Sequence, residues 1–414
     1  MRIVNFKKKT LIKLLRKRYV IINIKDSTIS YRKEILHAER IINIPEPKLL
    51  YDLTQKTSNQ NYYELHEPGI WLYRLQNCSF YGGLKYILFK QEAIHTQGTD
   101  IQKDYLLTER LGYAQVNTQK AKLTLDAVHL NPLKLDIAIH MLSECSENYA
   151  HFFTEILAKL ALFQNLKKFK GVPIILDSCL PEKFISVINQ IIKNRHPLVF
   201  LRRGQYVNIK QCIYITNTAN IRCEERDYIL KKEIPAPTPN DFDFSSIALN
   251  HTKKLLQKHT EKYQHSKIPP QKICLIRCPH SSYNGRSMRN HPEAVEILKK
   301  HEFYIVDPSS LTILEQAKLF SNARIIITEI GAGIINSVFA PPSCQILAFS
   351  PVYKNANYYY YSNFAGTLGH KISFIVGEQI VDNDLHILHR DYTIDLKKFN
   401  NFISNLLSHS HINN

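Results

Sequence analysis

The sequence predicts an α/β protein built from two domains, and three observations lead to that prediction. At 414 residues the chain is longer than one ordinary hydrophobic core requires. Residues 231–246 place three prolines among small residues, which excludes a helix and is typical of an extended connector. Beyond this connector, β-rich runs alternate with helical segments of about ten residues, as in a parallel, doubly wound sheet.

The alternation defines the second domain, which we predict over residues 246–385, followed by a C-terminal helix within 386–414. A helix is expected directly after the connector, and helices separate the strands that follow. The expected strands are KICLIR (272–277), FYIV (303–306), RIIIT (324–328), QILAFS (345–350) and KISFIV (371–376). Each run is short, apolar and bounded by turn-forming or helical sequence, which favours buried parallel strands.

The first domain is predicted over residues 1–235 and is less regular before about residue 120. Strand-like runs occur at GVPIILD, PLVFL and QCIYIT, and a long amphipathic helix is expected in ENYAHFFTEILAKLALFQNL, residues 147–166. This pattern also indicates α/β structure. Two such domains of similar size would place a ligand in the cleft between them.

The charge of the chain favours anionic partners. Lys and Arg total 54 against 36 Asp and Glu, a formal net charge of +18. The first 18 residues contain eight of these cations and no acid. They could form a short helix on an anionic membrane surface, or a solvated basic terminus; both interpretations stay open. No apolar run approaches the ~18 residues of a membrane-spanning helix, and eight scattered cysteines without a CxxC pair are typical of a reduced, cytoplasmic protein.

A glycine loop follows the strand RIIIT, in the stretch TEIGAGIINSVFAPP at 328–342. We expect Gly331, Ala332 and Gly333 to bring backbone amides close to a ligand, with positive φ at the glycines and a helix N-terminus suited to phosphate. A tight turn without a ligand is the alternative. Asn336 occupies the place of the third glycine in the dinucleotide fingerprint, and no Asp or Glu lies between Asn336 and Asn355 to hold a ribose, so a nicotinamide enzyme is disfavoured.

Basic residues are expected on the same sheet edge. Arg277 ends one strand, and Arg286 and Asn290 lie on the loop that follows. Arginine binds phosphate oxygens in a bidentate manner and stays charged, so these residues and the glycine loop predict a nucleotide-diphosphate site. Glu329 is placed to bind ribose or sugar hydroxyls. A surface loop with solvated arginines is the alternative.

Four motifs occur in the order and spacing of a known family. GRSMRN, LTILEQAKLFSNARIIIT and GAGIINSVFAPP lie in the second half, and ENYAHFFTEILAKLALF is similar to a helix motif N-Y-x-H-W/F-x-x-E. Over roughly residues 140–350 the chain resembles glycosyltransferase family 61, which includes bacterial capsular-polysaccharide proteins. The sequence departs from the family at His291, usually Glu, and at Ile330, often His.

The resemblance implies a GT-B fold: two Rossmann-like domains with a cleft between them, the first on the acceptor side and the second holding the nucleotide-sugar. It also implies inverting transfer with no bound metal and no other cofactor. The D-x-D sequences at 241–243 and 382–384 lie in the connector and in a late loop, and we interpret both as chance matches.

His151 is the candidate general base, because it occupies the matched N-Y-x-H position, and Glu155 is one helical turn away on the same face. A packed core histidine is the alternative. Arg277, Arg286 and the loop amides would stabilise the departing diphosphate.

The most direct interpretation is a glycosyltransferase that moves a sugar from a nucleotide-sugar donor to a surface polysaccharide or lipid-linked glycan at the inner face of the membrane. A catalytically inactive GT-B-fold scaffold of polysaccharide assembly is the alternative, motivated by His291 and Ile330. Nucleic acid is not an expected partner, since the basic residues are spread over both halves and no nucleic-acid motif is visible.

Overall fold

The structure is a computed structural model. It describes residues 16–51, 53, 61–95, 111–117, 119–126, 132–164, 169–222, 236–260, 268–276, 287–381, 385 and 387–409. The chain divides into two compact units. Residues 1–40 and 68–227 form the first, and residues 41–67 and 228–414 form the second.

The strands of the described residues lie in both units. In chain order they are β1 (Lys17–Asn23), β2 (Tyr31–His37), β3 (Arg40–Pro45), β4 (Lys48–Leu50), β5 (Tyr62–Glu67), β6 (Ile70–Tyr81), β7 (Ile87–Phe89), β8 (Glu92–His95), β9 (Ala114–Asn117), β10 (Lys122–Leu125), β11 (Leu133–His140), β12 (Ile174–Asp177), β13 (Leu198–Leu201), β14 (Tyr206–Ile215), β15 (Ala219–Ile221), β16 (Phe242–Phe244), β17 (Lys272–Leu275), β18 (Tyr304–Val306), β19 (Ile325–Glu329), β20 (Gln345–Pro351), β21 (Lys371–Gln379) and β22 (Tyr392–Thr393).

The helices of the described residues are mostly two to four turns long. They are α1 (residues 149–164), α2 (Glu182–Ile192), α3 (Ser246–Thr260), α4 (His291–Lys300), α5 (Ile313–Leu319), α6 (Tyr359–Thr367) and α7 (Leu396–His409). Short 3-10 segments occur at Ile24–Asp26, Pro239–Asp241, Pro308–Ser310, Phe320–Asn322, Ala332–Phe339 and Ile387–His389. Every helix in the described ranges is too short or too polar to cross a bilayer.

The first unit is organised around one mixed sheet. Its described strands run in the order β13-β12-β11-β14-β6-β7-β8-β1-β10-β9, with β2 paired to β6. β13, β12, β11 and β14 are mutually parallel, whereas β6 pairs antiparallel to β14. All four residues of β12 are buried, as expected for a parallel strand covered on both faces. The parallel strands end at one edge, and the loops that follow them meet there.

Two helices connect the parallel strands of the first unit. Asn148 caps α1: its side-chain oxygen accepts a hydrogen bond from the Ala150 amide at 2.9 Å. The ring of Phe152 on α1 stacks on Phe184 of α2, with centroids 4.1 Å apart. This buried aromatic contact packs α1 against α2.

The second unit contains the alternating strands and helices predicted from the sequence. Its sheet has the order β18-β17-β19-β20-β21-β22, with β4 paired to β21; β22 is antiparallel and the other pairs are parallel. The helix between β18 and β19 begins with a capping box, in which the Thr312 hydroxyl accepts from the Glu315 amide and the Glu315 carboxylate accepts from the Thr312 amide.

Residues 41–67 lie in the second unit although they precede much of the first in sequence. Besides β4, this segment contributes Glu67, a buried carboxylate at the start of α3. It accepts hydrogen bonds from the Ser246 amide at 2.7 Å and the Ser246 hydroxyl at 2.9 Å. A negative charge at a helix N-terminus is favourable, which explains how a buried acid is accommodated.

The basic N-terminal segment falls mostly outside the described residues, and the predicted membrane-surface helix with it. Lys17 and Arg18, the last two cations of that run, lie in β1. Arg16 pairs with Asp126, with its Nε 2.5 Å from the carboxylate. The six cysteines within the described ranges carry free thiols.

Candidate active site

A polar pocket lies at the carboxyl edge of the parallel strands in the first unit. Its empty volume is ≈ 480 Å³, with the solvent at its mouth included. Its lining includes Lys85, Ser143, Glu144, His151, Glu155 and Asn217. The loop after β11, the side of α1 that carries His151 and Glu155, and the segment after β14 supply most of these residues. This edge is where α/β sheets bind ligands.

His151 and Glu155 form a buried pair in this pocket. The Nδ1 atom of His151 lies 2.6 Å from Oε1 of Glu155. The other carboxylate oxygen, Oε2, accepts a hydrogen bond from the Ser143 hydroxyl at 2.6 Å. Each carboxylate oxygen of Glu155 therefore has a partner, and the imidazole ring is fixed in orientation.

Glu155 is ionised at neutral pH. Burial acts to raise its pKa, but the charge of His151, the hydrogen bonds from His151 and Ser143, and the charge of Lys159 together bring the pKa below its ordinary value. An ionised carboxylate accepts a hydrogen bond from the Nδ1–H of His151. When the ring carries a single proton, Nε2 is therefore its basic nitrogen.

The helix that carries the pair is not a regular α-helix. Phe152–Leu157 form a π segment between α-helical turns. Such segments are rare and occur frequently at functional sites. The widened turn is supported from outside the helix, because the Thr218 hydroxyl donates a hydrogen bond to the Thr154 carbonyl.

Asp177 supports the loop that carries Ser143. Its Oδ2 atom accepts a hydrogen bond from the Ser143 amide at 3.0 Å. Asp177 ends β12 and is 1% exposed. Burial raises the pKa of Asp177 to about 7, although the hydrogen bond from the Ser143 amide acts in the opposite direction. The Asp177 carboxyl group is therefore poised between its two protonation states near neutral pH.

The glycine loop of the second unit follows β19 as predicted, but its backbone differs from the expectation. Gly331 has φ 161° and ψ −175°, which is extended backbone, and Gly333 is absent from the residues with positive φ. The expected positive φ was therefore wrong: the chain leaves β19 extended and enters the 3-10 segment Ala332–Phe339 directly. Gly331, Ala332 and Gly333 are partly exposed, so their backbone is accessible.

Two predicted donor-binding residues make contacts within the fold. Asn336 is 1% exposed, and its side-chain nitrogen donates to the Gly333 carbonyl at 3.2 Å. The Asn290 side chain donates to the Ile394 carbonyl at 2.8 Å and accepts from the Ile394 amide at 3.3 Å. Asn336 thus shapes the glycine loop, and Asn290 ties the start of α4 to the chain before α7.

The two departures from the family pattern have different surroundings. Ile330 is 7% exposed, and its amide continues the β19–β20 pairing by donating to the Phe349 carbonyl at 2.8 Å. His291 is the first residue of α4, and it lies close enough to Glu329, the last residue of β19, for the charge of Glu329 to affect its pKa. Burial lowers the pKa of His291, and Glu329 acts in the opposite direction. His291 is therefore influenced by the charge of Glu329, which lies just before the glycine loop.

Arg277 and Arg286 lie outside the described residues, and their proposed phosphate contacts remain predictions from the sequence. The D-x-D sequence at 382–384 is also outside them. In the other, Asp241 accepts hydrogen bonds from the amide and the hydroxyl of Thr238, at 2.8 and 2.9 Å. That carboxylate closes a capping box, a role in local structure.

Both parts of the candidate site fall within a family match. A model of the family described as glycosyltransferase 61 matches residues 149–347, just under half of the chain. Residues 149–347 are thus similar to glycosyltransferase family 61. No curated protein matches the sequence. Members of this family act as glycosyltransferases on glycans, so the similarity supports glycosyltransferase activity with a sugar donor and a glycan acceptor.

The glycosyltransferase 61 match begins at the first residue of α1, so it includes His151 and Glu155 but not the loop that holds Ser143. Sequence reasoning identified His151 by its place in the N-Y-x-H motif of the resembling family, and Glu155 by its position one helical turn away. It missed Ser143, which contacts Glu155 from the loop after β11, and Asp177 and Asn217, which contact Ser143 and Lys159 from other strand ends. It also missed Lys159, although this residue follows Glu155 by four positions on α1. Two signals were available: the helical spacing of Lys159, and the placement of Asp177 directly at the end of a buried strand.

The raised pKa of Asp177 predicts a pH-dependent gain in stability when its charge is removed. The unfolded carboxyl group ionises above its ordinary pKa of 3.8, whereas the folded group resists ionisation up to about 7. The amount by which Asp177 lowers the free energy of unfolding therefore grows between these pH values and is constant above them. In Asp177→Asn the free energy of unfolding should exceed that of the wild type by an amount that grows over this interval, to at most about 4 kcal/mol.

Urea unfolding followed at pH 4.5, 6 and 8 measures this difference. Asp136→Asn is the control, because Asp136 lies on β11 with its side chain 83% exposed and paired to Lys210. It should show no such gain. A difference for Asp177→Asn that is the same at all three pH values would contradict the assignment.

Proposed function

We propose that this glycosyltransferase is an inverting, metal-independent enzyme of the GT-B type, which moves a sugar from a nucleotide-sugar to a surface polysaccharide or lipid-linked glycan. The observation that carries the proposal is the buried His151–Glu155 pair, hydrogen-bonded to Ser143 in a polar pocket of the first unit. A packed core histidine, the alternative interpretation, does not require an ionised partner or a place in a pocket wall.

The proposed reaction begins with the acceptor hydroxyl. His151 Nε2 takes the hydroxyl proton while the oxygen attacks the anomeric carbon of the donor sugar. The bond from that carbon to the diphosphate oxygen breaks, and the electron pair leaves with the diphosphate. Attack opposite to the leaving group inverts the anomeric configuration. Glu155 then stabilises the imidazolium that has formed, as the acid of a catalytic triad does.

The polar lining of the pocket suits a sugar acceptor. Lys85 Nζ lies 3.5 Å from Glu144 Oε2, and both residues line the pocket with Ser143 and Asn217. This arrangement offers hydrogen-bond donors and acceptors side by side, which a glycan with several hydroxyl groups requires. We assign the acceptor to this pocket.

The donor is assigned to the second unit. The partly exposed backbone of residues 331–333 follows a parallel strand and opens a helical segment, where amide groups favour a diphosphate. Glu329 would accept hydrogen bonds from ribose or sugar hydroxyls. Arg277 and Arg286 would supply positive charge to the leaving diphosphate. The eight cations of the first 18 residues support a location at the cytoplasmic face of an anionic membrane.

Replacing His151 by alanine should abolish most of the transfer without abolishing donor binding. General-base catalysis is worth roughly 10²–10⁴-fold, so kcat should fall by about that factor. Glu155→Gln should cost less, since it keeps a hydrogen-bond partner for His151 but removes the charge. The measurement is the transfer rate with the nucleotide-sugar that most raises the melting temperature of the protein.

His196→Ala is the matched control. His196 is also a buried histidine of the first unit, with its Nδ1 3.0 Å from the Val172 carbonyl oxygen, and it does not line the pocket. Its loss should lower stability but leave kcat close to the wild-type value. If folded His151→Ala kept the kcat of the wild type, His151 would not be the general base. If the wild type bound a donor but transferred no sugar, the inactive-scaffold alternative would be favoured.

Gly333→Ala separates a diphosphate cradle from a simple turn. A Cβ atom at Gly333 would lie 3.6 Å from Thr328 Oγ1 and 3.8 Å from Leu275, which is ordinary van der Waals contact. The fold should therefore keep its stability, or gain up to about 1 kcal/mol from a less flexible unfolded chain. The added methyl group should nevertheless hinder the approach of a diphosphate to the loop backbone.

Thermal unfolding with a panel of nucleoside diphosphates and monophosphates measures this effect. Wild-type protein should be stabilised by one diphosphate, and the increase should be lost or strongly reduced in Gly333→Ala. Ala332→Gly, in the same loop, should retain it because it only removes a methyl group. If the diphosphate raised the melting temperature of Gly333→Ala and of the wild type equally, it would bind at a site other than this loop.

A further inference from the structure

A buried lysine lies one turn beyond Glu155 on α1. Lys159 is 3% exposed, although it carries an ammonium group. Its Nζ atom donates a hydrogen bond to Oδ1 of Asn217 at 2.8 Å, and Asn217 lines the pocket that holds His151. The ring of Tyr214 lies beneath it, with its centroid 5.7 Å from Nζ.

This lysine is costly for the fold. Burial lowers its pKa to about 8, and the field of Glu155 only partly offsets that effect. An apolar side chain of similar length would fill the same volume without removing a charge from water. Stability therefore does not explain a lysine at this position.

The charged and titratable groups around Lys159 come from three elements. Glu155 faces it from α1, His140 from the end of β11, and the Tyr214 ring from β14, with the Asn217 amide on the loop after β14. Burial keeps the pKa of His140 well below its ordinary value, so His140 is neutral. Among these groups, Glu155 is the one whose charge Lys159 complements.

We propose that Lys159 is a positioning residue, which keeps Glu155 ionised and anchors Asn217 in the pocket wall, so that His151 keeps its proton on Nδ1 and presents a basic Nε2. Three observations carry this inference: the row formed by His151, Glu155 and Lys159 on one helix, the contact of Lys159 with a pocket residue, and the near-complete burial of the ammonium group. Its consequence for the transfer rate rests on the proposed function. The effect on the His151–Glu155 pair does not.

The test measures the ring of His151 directly. Protein labelled with ¹³C at histidine is titrated by NMR, and the His151 resonance is assigned by its loss in His151→Gln. In Lys159→Met, loss of the neighbouring cation should leave Glu155 neutral over more of the pH range. The titration midpoint of His151 should then move to lower pH, because the carboxylate charge that favours its protonated form is lost. Lys159→Arg keeps the charge and should keep the wild-type midpoint.

Asn217→Ala separates the two parts of the role. It removes the anchor but leaves the charge of Lys159 in place, so the His151 midpoint should stay close to that of the wild type. An unchanged or higher midpoint in folded Lys159→Met would overturn the proposal, because Glu155 would then be ionised without Lys159. It would do so whether or not the protein transfers sugar, so failure of this inference is distinguishable from failure of the proposed function.

Melting temperature and rate complete the test. Lys159→Met should melt at a higher temperature than the wild type at pH 7, since a buried charge has been removed. Once a donor has been identified, kcat should fall at least tenfold in Lys159→Met, while KM for the donor should equal that of the wild type. A variant with a lower melting temperature, an unchanged midpoint and an unchanged kcat would show a purely structural lysine.

Discussion

The carboxylate of Glu155 is the group on which the rest of the candidate active site depends. One of its oxygens holds the imidazole of His151 and the other holds the hydroxyl of Ser143, so a helix and a loop are fixed to each other by a single side chain. Most of this side chain is removed from water, and its charge is sustained by partners inside the protein. If the carboxylate were neutral, it would no longer favour the tautomer of His151 that carries its proton on Nδ1. The π segment of α1 and the support of Asp177 beneath Ser143 are understandable as means of holding this group in place.

Local patterns were enough to predict much of this structure. The spacing of His151 and Glu155 on an amphipathic helix predicts that they share a face, because helical periodicity is a property of neighbouring residues. The alternation of strands and helices in the second unit is equally local: Thr312 and Glu315 specify the start of α5 within four residues. The glycine loop was located correctly after β19 for the same reason.

Contacts between residues far apart in the chain could not be predicted from the sequence. Ser143, Asp177 and Asn217 approach the His151–Glu155 pair from separate strand ends, and no pattern in one sequence records which strand ends are neighbours. The pairing of β4 with β21 joins residues more than 300 positions apart. The conformation at Gly331 was mispredicted because glycine permits positive φ but does not require it, and here the pairing of Ile330 with β20 keeps the chain extended.

The buried charges of the first unit are better explained by reactivity than by stability. Asp177 and Lys159 both have pKa values moved by burial toward neutrality, and each would be replaced by a neutral residue at a gain in stability. They are not scattered: Asp177 contacts the loop of Ser143, and Lys159 contacts Asn217 and acts on Glu155. Fixed charges and hydrogen-bond donors in a site shielded from water act on a developing charge without the reorganisation that solvent would need. Holding these charges therefore lowers the free energy of unfolding of the protein even without substrate. They stabilise the reaction at the step in which the acceptor hydroxyl loses its proton.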